Sequence, residues 1–94
     1  MDFEKACIVE SVAGHDKGRV FIVLDVEEDF LTLADGKLRK VENPKRKRKK
    51  HTRLLTNVTS PIVEKIINGE KVLNSEIRKT LSQFAVQTVS EDQA

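Results

Sequence analysis

The stretch from Val9 to Val26 limits what this chain of 94 residues can fold into. Every second residue from Val20 to Val26 is aliphatic, so these residues are predicted to share one face of a strand. The preceding segment Gly14–Gly18 contains two glycines and an aspartate, a composition typical of a tight turn. Two antiparallel strands, over about residues 6–13 and 19–27, are therefore predicted around a polar loop.

Further short strands are predicted before residue 57. Phe30–Ala34 is rich in apolar residues, and Asp35-Gly36 after it is a strong signal for a type I′ hairpin turn. This turn would lead into a fourth strand, Lys37–Val41, and Thr52–Thr56 would be a closing fifth strand. The predicted fold class is mostly β, a small SH3-like barrel of four to five strands, because closure removes exposed strand edges.

Two short helices are predicted after the barrel. Thr59-Ser60-Pro61 would cap the first, and the second would begin near Asn74. The apolar stripe of the second helix would be Ile77, Leu81, Phe84 and Ala85. Such short helices need to dock on another element. The predicted organisation is a barrel over 1–57 with a basic loop at 43–53, a helical extension packed on it over 58–85, and a flexible tail over 86–94.

The charged residues are distributed unevenly. The chain has 17 bases and 15 acids, but residues 37–53 contain ten Lys or Arg and one acid, Glu42. Six consecutive cations, Lys45–Lys50, repel one another, so without a partner they are predicted to form a mobile loop rather than to be buried. A dense basic block on an acidic background favours a polyanionic partner.

Several classes of function find no support in the residues. Cys7 is the single cysteine, which excludes an internal disulfide, and His15 and His51 lack ligand partners at metal-binding spacing. The glycines lie between strands rather than before a helix, and most acids lie in turns where pKa values stay ordinary. We expect no enzyme activity, no metal and no cofactor. With no long apolar run, we expect a cytoplasmic protein without a membrane partner.

The run Ser11–Val26 resembles the KOW motif of RNA-binding β-barrels, with Gly14-His15-Asp16-Lys17-Gly18-Arg19-Val20 at its centre. Gly18 stands at the glycine that the motif requires, while His15 stands where the family often carries Lys or Arg. The wider pattern is similar to bacterial relatives of a eukaryotic-type large-subunit ribosomal protein, the one numbered fourteen. This resemblance implies binding of ribosomal RNA, contact with neighbouring ribosomal proteins, and a monomer outside that complex.

The candidate RNA-binding residues are the cations of the loop and of the basic block, together with Gly18. They are Lys17, Gly18, Arg19, Lys37, Arg39, Lys40, Lys45, Arg46, Lys47, Arg48, Lys49, Lys50, His51 and Arg53. No aromatic residue is interleaved with the cations of the block, so recognition of the backbone and shape of a folded RNA is favoured over base stacking. Asp16 is expected to fix the turn through its own backbone. Neutralising Lys45–Lys50 is expected to abolish binding and to leave the fold intact.

Two alternatives remain open at this point. KOW barrels also resemble modules appended to transcription elongation factors, where they contact proteins, so the chain could be a protein-interaction module. A basic run of this kind is also typical of a nuclear localisation signal.

Overall fold

One antiparallel sheet forms the body of the protein. The computed structural model describes residues 3–57 and 61–93. Within these ranges the strands are β1 (Cys7–Ser11), β2 (Val20–Val26), β3 (Phe30–Ala34), β4 (Lys45–Arg48) and β5 (Thr52–Asn57), in the spatial order β4-β3-β2-β1-β5. The two outer strands, β4 and β5, are joined by a single turn of 3₁₀-helix, Lys49–His51. The predicted mostly β, barrel-like fold class followed by two helices is confirmed.

The central strands are apolar on both faces because each face packs against a separate cluster. The inner cluster is Cys7, Val9, Phe21, Val23, Leu31 and Leu33. On the outer face, Ala6, Ile22 and Ala34 pack against the helical segment through Ile62, Ile66, Val72 and Ile77. The helices thus cover one side of the sheet, and burial of these side chains stabilises helices that would not form alone.

The predicted faces of β2 need one correction. The pairing of β2 with β3 shifts in register between Val23 and Asp25, which places Leu24 in a bulge. A bulge adds one residue and changes the phase of the alternation beyond it. Leu24 accordingly packs in the cluster against the helices, whereas Val26 packs in the inner cluster, so these two residues do not share one face.

The predicted fourth strand, Lys37–Val41, is wrong, because this segment is a loop. The Asp35 carboxylate accepts hydrogen bonds from the backbone amides of Lys37 and Arg39, at 2.9 and 2.8 Å. These amides are then directed into the loop, where they cannot form a ladder with β3. The amide of Val41 is likewise taken by the side chain of Asn74, at 2.8 Å.

The prediction that Lys45–Lys50 forms a mobile loop is also wrong. Lys45–Arg48 is strand β4, paired with β3 from Leu33↔Lys45 to Phe30↔Arg48. Alternation along β4 directs Lys45 and Lys47 to one face and Arg46 to the other. The cations are therefore divided between the two faces of the sheet, and contacts described below compensate the charge of Lys45, Arg46 and Lys47.

Helix α1 spans Pro61–Ile67 and helix α2 spans Asn74–Gln93. The predicted cap at Thr59-Ser60 lies outside the described residues. Helix α2 is longer than predicted, since its backbone continues through most of the segment 86–94 that is expected to be a tail. In the described parts of the chain, neither helix has the length and hydropathy required to cross a bilayer.

Loop 35–40 and the start of α2 are in close contact through Gly36. A Cβ atom at this position would lie 2.4 Å from the carbonyl oxygen of Asn74, and the φ angle of +74° also favours glycine. Arg78 of α2 donates a hydrogen bond to the carbonyl of Gly36, at 2.6 Å. The loop is therefore fixed on the helix at this point.

Candidate nucleic-acid interface

A buried carboxylate connects the turn after β1 to the basic strand. Asp16 accepts a hydrogen bond from the Ser11 hydroxyl at 2.6 Å and one from Lys47 Nζ at 3.0 Å, both on Oδ1. Lys45 Nζ forms an ion pair with Oδ2, at 3.0 Å. Lys47 Nζ also donates to the carbonyl oxygen of Ala13, at 2.9 Å. The side chains of Lys47 and Asp16 are only 9 % and 8 % exposed, so this ion pair is part of the interior.

Asp16 stays ionised far into the acid range. Burial alone would raise the pKa of this carboxyl, but the hydrogen bonds from Ser11 and Lys47 and the ion pair with Lys45 outweigh burial and hold the pKa well below its usual range. The charge of the carboxylate in turn makes the burial of Lys47 tolerable, since an unpaired ammonium group in this place would be strongly destabilising. Asp16 therefore fixes the turn through its side chain, although its carbonyl also accepts a hydrogen bond from the amide of Arg19, at 2.9 Å.

A second carboxylate, Asp35, organises the neighbouring loop. Besides the two backbone amides, it accepts a hydrogen bond from the Arg19 guanidinium, at 2.8 Å. Burial raises the pKa of Asp35, but the hydrogen bonds from the amides of Arg39 and Lys37 and the charge of Arg19 lower it by a larger amount. The pKa of Asp35 therefore lies below its usual range. This ion pair joins the turn after β1 to the loop after β3.

A cleft of about 180 Å³ opens where these two segments meet. It is lined by His15, Asp16, Arg19, Phe21, Leu38, Arg39 and Lys45. Four of these residues are bases and two are apolar, and Leu38 is 68 % exposed despite its size. The cleft therefore has basic residues at its rim and apolar side chains in its wall. Its one acid, Asp16, forms ion pairs with Lys45 and Lys47.

Lys17 and Gly18 are exposed, and in sequence they stand between Asp16 and Arg19, which line this cleft. Gly18 has a φ of +90°, a conformation that other residues rarely adopt, and nothing lies within 4 Å of where its Cβ would be. Its amide donates to the Ser11 carbonyl, at 2.8 Å, which closes the turn. Lys17, next to it, is exposed, and its amide donates to the Gly14 carbonyl within the same turn, at 3.2 Å.

The outward face of β4 presents two arginines around one phenyl ring. The Cζ atom of Arg46 lies 3.9 Å from the ring centroid of Phe30, and that of Arg48 lies 4.7 Å from it. Arg46 Nε also donates to Glu27, at 2.9 Å. In the folded sheet, an aromatic ring from the neighbouring strand therefore lies beside these two cations, which the sequence of the block alone does not reveal. Arg53 on β5 forms an exposed pair with Glu10.

The structure divides the twelve lysines and arginines among the fourteen predicted site residues into three groups. Lys45 and Lys47 are held by Asp16, and Lys47 is not presented at the surface. Arg19, Arg46 and Arg53 have acidic partners but remain partly exposed. The side chains of the third group make no ion pair with any other described residue: Lys17, Lys37, Arg39, Lys40, Arg48, Lys49 and Lys50. Gly18 lies in the turn, and His51 ends the 3₁₀ segment.

The predicted site residues leave out several residues of this surface and of the network behind it, including His15 and Phe21 of the cleft. Ser11 and Asp16 form the buried network, Phe30 lies under the arginines, and Leu38 lines the cleft. An isolated serine or leucine carries no such signal. Only Asp16 could have been suspected, because a dense block of cations needs acidic partners to compensate its charge.

Among residues 3–57 and 61–93, no group of His, Cys, Asp or Glu side chains is placed to hold a metal ion. A comparison of the chain with protein-family models gives no match, and a comparison with curated proteins gives none either.

Proposed function

We propose that the protein binds RNA through the cleft between the turn after β1 and the loop after β3. The observation that carries this proposal is the gathering of four bases, His15, Arg19, Arg39 and Lys45, around one cleft by segments far apart in sequence. Exposed Lys17 and Lys37 lie in the same two segments and have no acidic partner in the described residues.

Electrostatics supports a polyanion as the ligand. Binding a phosphate backbone to such a surface releases counterions, which gives a steep fall of affinity with salt. The single acid in the cleft wall, Asp16, is neutralised by Lys45 and Lys47, so it does not repel phosphates strongly. Gly18 has no side chain and leaves room for a sugar or base edge to approach the backbone, and the exposed Leu38 offers an apolar contact.

Ribosomal RNA is the target that we favour, with the protein acting as a ribosomal or ribosome-associated component in the cytoplasm. This part of the proposal rests on the KOW-like pattern of Ser11–Val26. In that setting, neighbouring ribosomal proteins are further partners, and the free chain is a monomer.

The test compares two variants of equal charge in a binding assay with ribosomal RNA fragments at several salt concentrations. Lys17→Gln with Lys37→Gln removes one cation from each of the two segments that border the cleft, and Lys5→Gln with Lys79→Gln removes two cations that lie outside these segments. We expect the first variant to lower affinity about tenfold and to reduce the log–log salt slope by roughly 0.7 to 0.9 for each phosphate that the protein no longer neutralises. An equal decrease of affinity in both variants would refute the cleft as the binding site.

A second candidate function, a protein-interaction module of the transcription or translation machinery, is favoured by a different surface. Ile67 and Leu73 lie on either side of the connection between the helices and are 55 % and 51 % exposed. Under this alternative, co-purification with RNA polymerase or ribosomal proteins survives nuclease and high salt and is lost in the Ile67→Ser, Leu73→Ser variant. Loss of every partner after nuclease treatment would reject it.

A further inference from the structure

The outer face of the sheet is divided into a covered part and an open part. Ala34, near the end of β3, is buried under the helices. Phe30, at the start of the same strand, shares this face with Arg48, its direct partner across the strand pair, and with Arg46. Arg46 and Arg48 are exposed and Phe30 is half-buried, so this group of three lies at the surface rather than in a core.

The N–H edge and one face of the Arg46 guanidinium group are already in contact with other residues, so it is mainly the opposite flat face that a ligand can reach. Its Nε and NH2 groups point to the two carboxylate oxygens of Glu27, at 2.9 and 3.4 Å. One face of the group lies over the Phe30 ring, at 3.9 Å. A planar guanidinium held in this way has an opposite face on which another planar group can stack.

Arg48 differs from Arg46 in one useful respect. Its Cζ atom also lies over the Phe30 ring, at 4.7 Å, but it has no acidic partner among the described residues. Its N–H groups remain available as donors to a phosphate. A stacking surface and a phosphate donor therefore stand side by side on one strand.

We propose that Phe30, Arg46 and Arg48 form a platform on which one unpaired base of a folded RNA stacks, with the adjoining phosphate bound by Arg48. This inference rests on the proposed RNA-binding function and adds an element to it, because the platform reads an exposed base rather than the backbone alone. Guanidinium planes and aromatic rings are common stacking partners of unpaired bases. A bulge or loop nucleotide, rather than a perfect duplex, is thus the ligand of this surface.

The test uses one RNA hairpin in two forms, with a single unpaired purine or with an abasic nucleotide at the same position. Both forms have the same phosphates, so the ratio of their affinities measures recognition of the base. The wild-type protein is expected to bind the purine form about tenfold more tightly, since stacking of a base commonly contributes an effect of this order. The variant Arg46→Lys, Arg48→Lys keeps the charge and loses the planar groups.

In this variant, the ratio is expected to fall to about one, while affinity for the abasic form stays within about twofold. Circular dichroism establishes that the variant is folded, and Phe30→Leu, which removes the ring beneath the arginines, provides an independent variant with the same expected result. A ratio near one in the wild type, or an unchanged ratio in both variants, overturns the platform and leaves RNA binding in place. Absence of binding to either hairpin at low salt overturns the proposed function itself.

Discussion

The two faces of strand β4 carry the same kind of charge and use it differently. Lys45 and Lys47 face the interior, where Asp16 binds both. Arg46 and Arg48 face outward, where Phe30 lies beneath them. A run of cations that looks uniform in sequence therefore contains residues that hold the fold together and residues that are presented to a partner.

This difference shows that charge density alone does not define a binding site. Strand alternation assigns neighbouring cations to opposite faces. Arg46 and Arg48 lie on an open face, whereas on the opposite face Lys47 is buried and Lys45, paired with Asp16, lines the cleft. Neutralising the whole block, Lys45–Lys50, would lower the stability of the fold as well as the affinity for a ligand. The expectation that such a variant keeps its fold does not fit the buried position of Lys47.

The largest effect is expected from Asp16→Asn. This change leaves Lys47 buried without its anion, so the free energy of unfolding should fall by about 3 kcal/mol. Urea denaturation followed by circular dichroism measures it, since the chain has no Trp or Tyr. The matched control is Asp25→Asn, because Asp25 pairs with Lys5 at the surface and its loss should cost less than about 1 kcal/mol. Equal stability of the two variants would remove the distinction between the faces.

The outward face is tested by Arg46→Gln with Arg48→Gln. RNA affinity should fall about tenfold, because both charge and stacking are lost, while the free energy of unfolding changes by less than about 1 kcal/mol. Lys47→Gln should show the reverse, with lower stability and an affinity of the folded protein within about twofold of wild type. A decrease of affinity in folded Lys47→Gln comparable to that of the double variant would contradict this assignment.

The pH dependence of stability sharpens the same comparison. The folded-state pKa of Asp16 lies below its ordinary value of 3.8, so ionised Asp16 stabilises the fold above about pH 4 and this contribution is lost as the pH falls further. Between pH 5 and pH 3, the wild type should lose about 1 kcal/mol more than Asp16→Asn. Parallel stability curves for the two proteins over this interval would be inconsistent with an ionised Asp16 in the folded state.

The smallest effect is expected from Arg46→Gln alone. Its partner Glu27 is an exposed acid, so the free energy of unfolding should fall by less than about 1 kcal/mol, and less still at high salt. Thermal denaturation at low and high salt measures this change. A large, salt-independent decrease would mean that Arg46 is as important to the fold as Lys47.

The sequence predicted the strands that are marked by apolar residues between turn signals. Strands β1, β2, β3 and β5 and both helix starts within the described residues lie close to their predicted positions. Strand β4 was placed wrongly because its four consecutive cations include no apolar residue to mark a buried face, while Lys37–Val41 offered Leu38 and Val41 after a turn signal.

The sequence predicted which cations belong to the candidate site, but it did not predict how the site residues contact one another. The cations of the turn and of loop 35–40 were predicted, and Arg19 and Arg39 do line one cleft. The contacts of Asp16 and Phe30 with β4 cross many intervening residues, and they depend on strand pairing that no local pattern reveals. The bulge at Leu24 places Leu24 and Val26 on different faces of the sheet, and the pattern of apolar residues gives no sign of it either.

The tight contact at Gly36 has a mechanical consequence. The carbonyl oxygen of Asn74 leaves no room for a side chain at Gly36, and Arg78 in the next turn of the helix donates to the Gly36 carbonyl. The loop and the start of α2 are therefore held together at two points. A tilt of the first turn of α2 would be transmitted to Leu38 and Arg39, which stand two and three residues farther along the loop and line the cleft. A substitution that displaces the first turn of α2 is therefore expected to alter the cleft, although α2 contributes no residue to its lining.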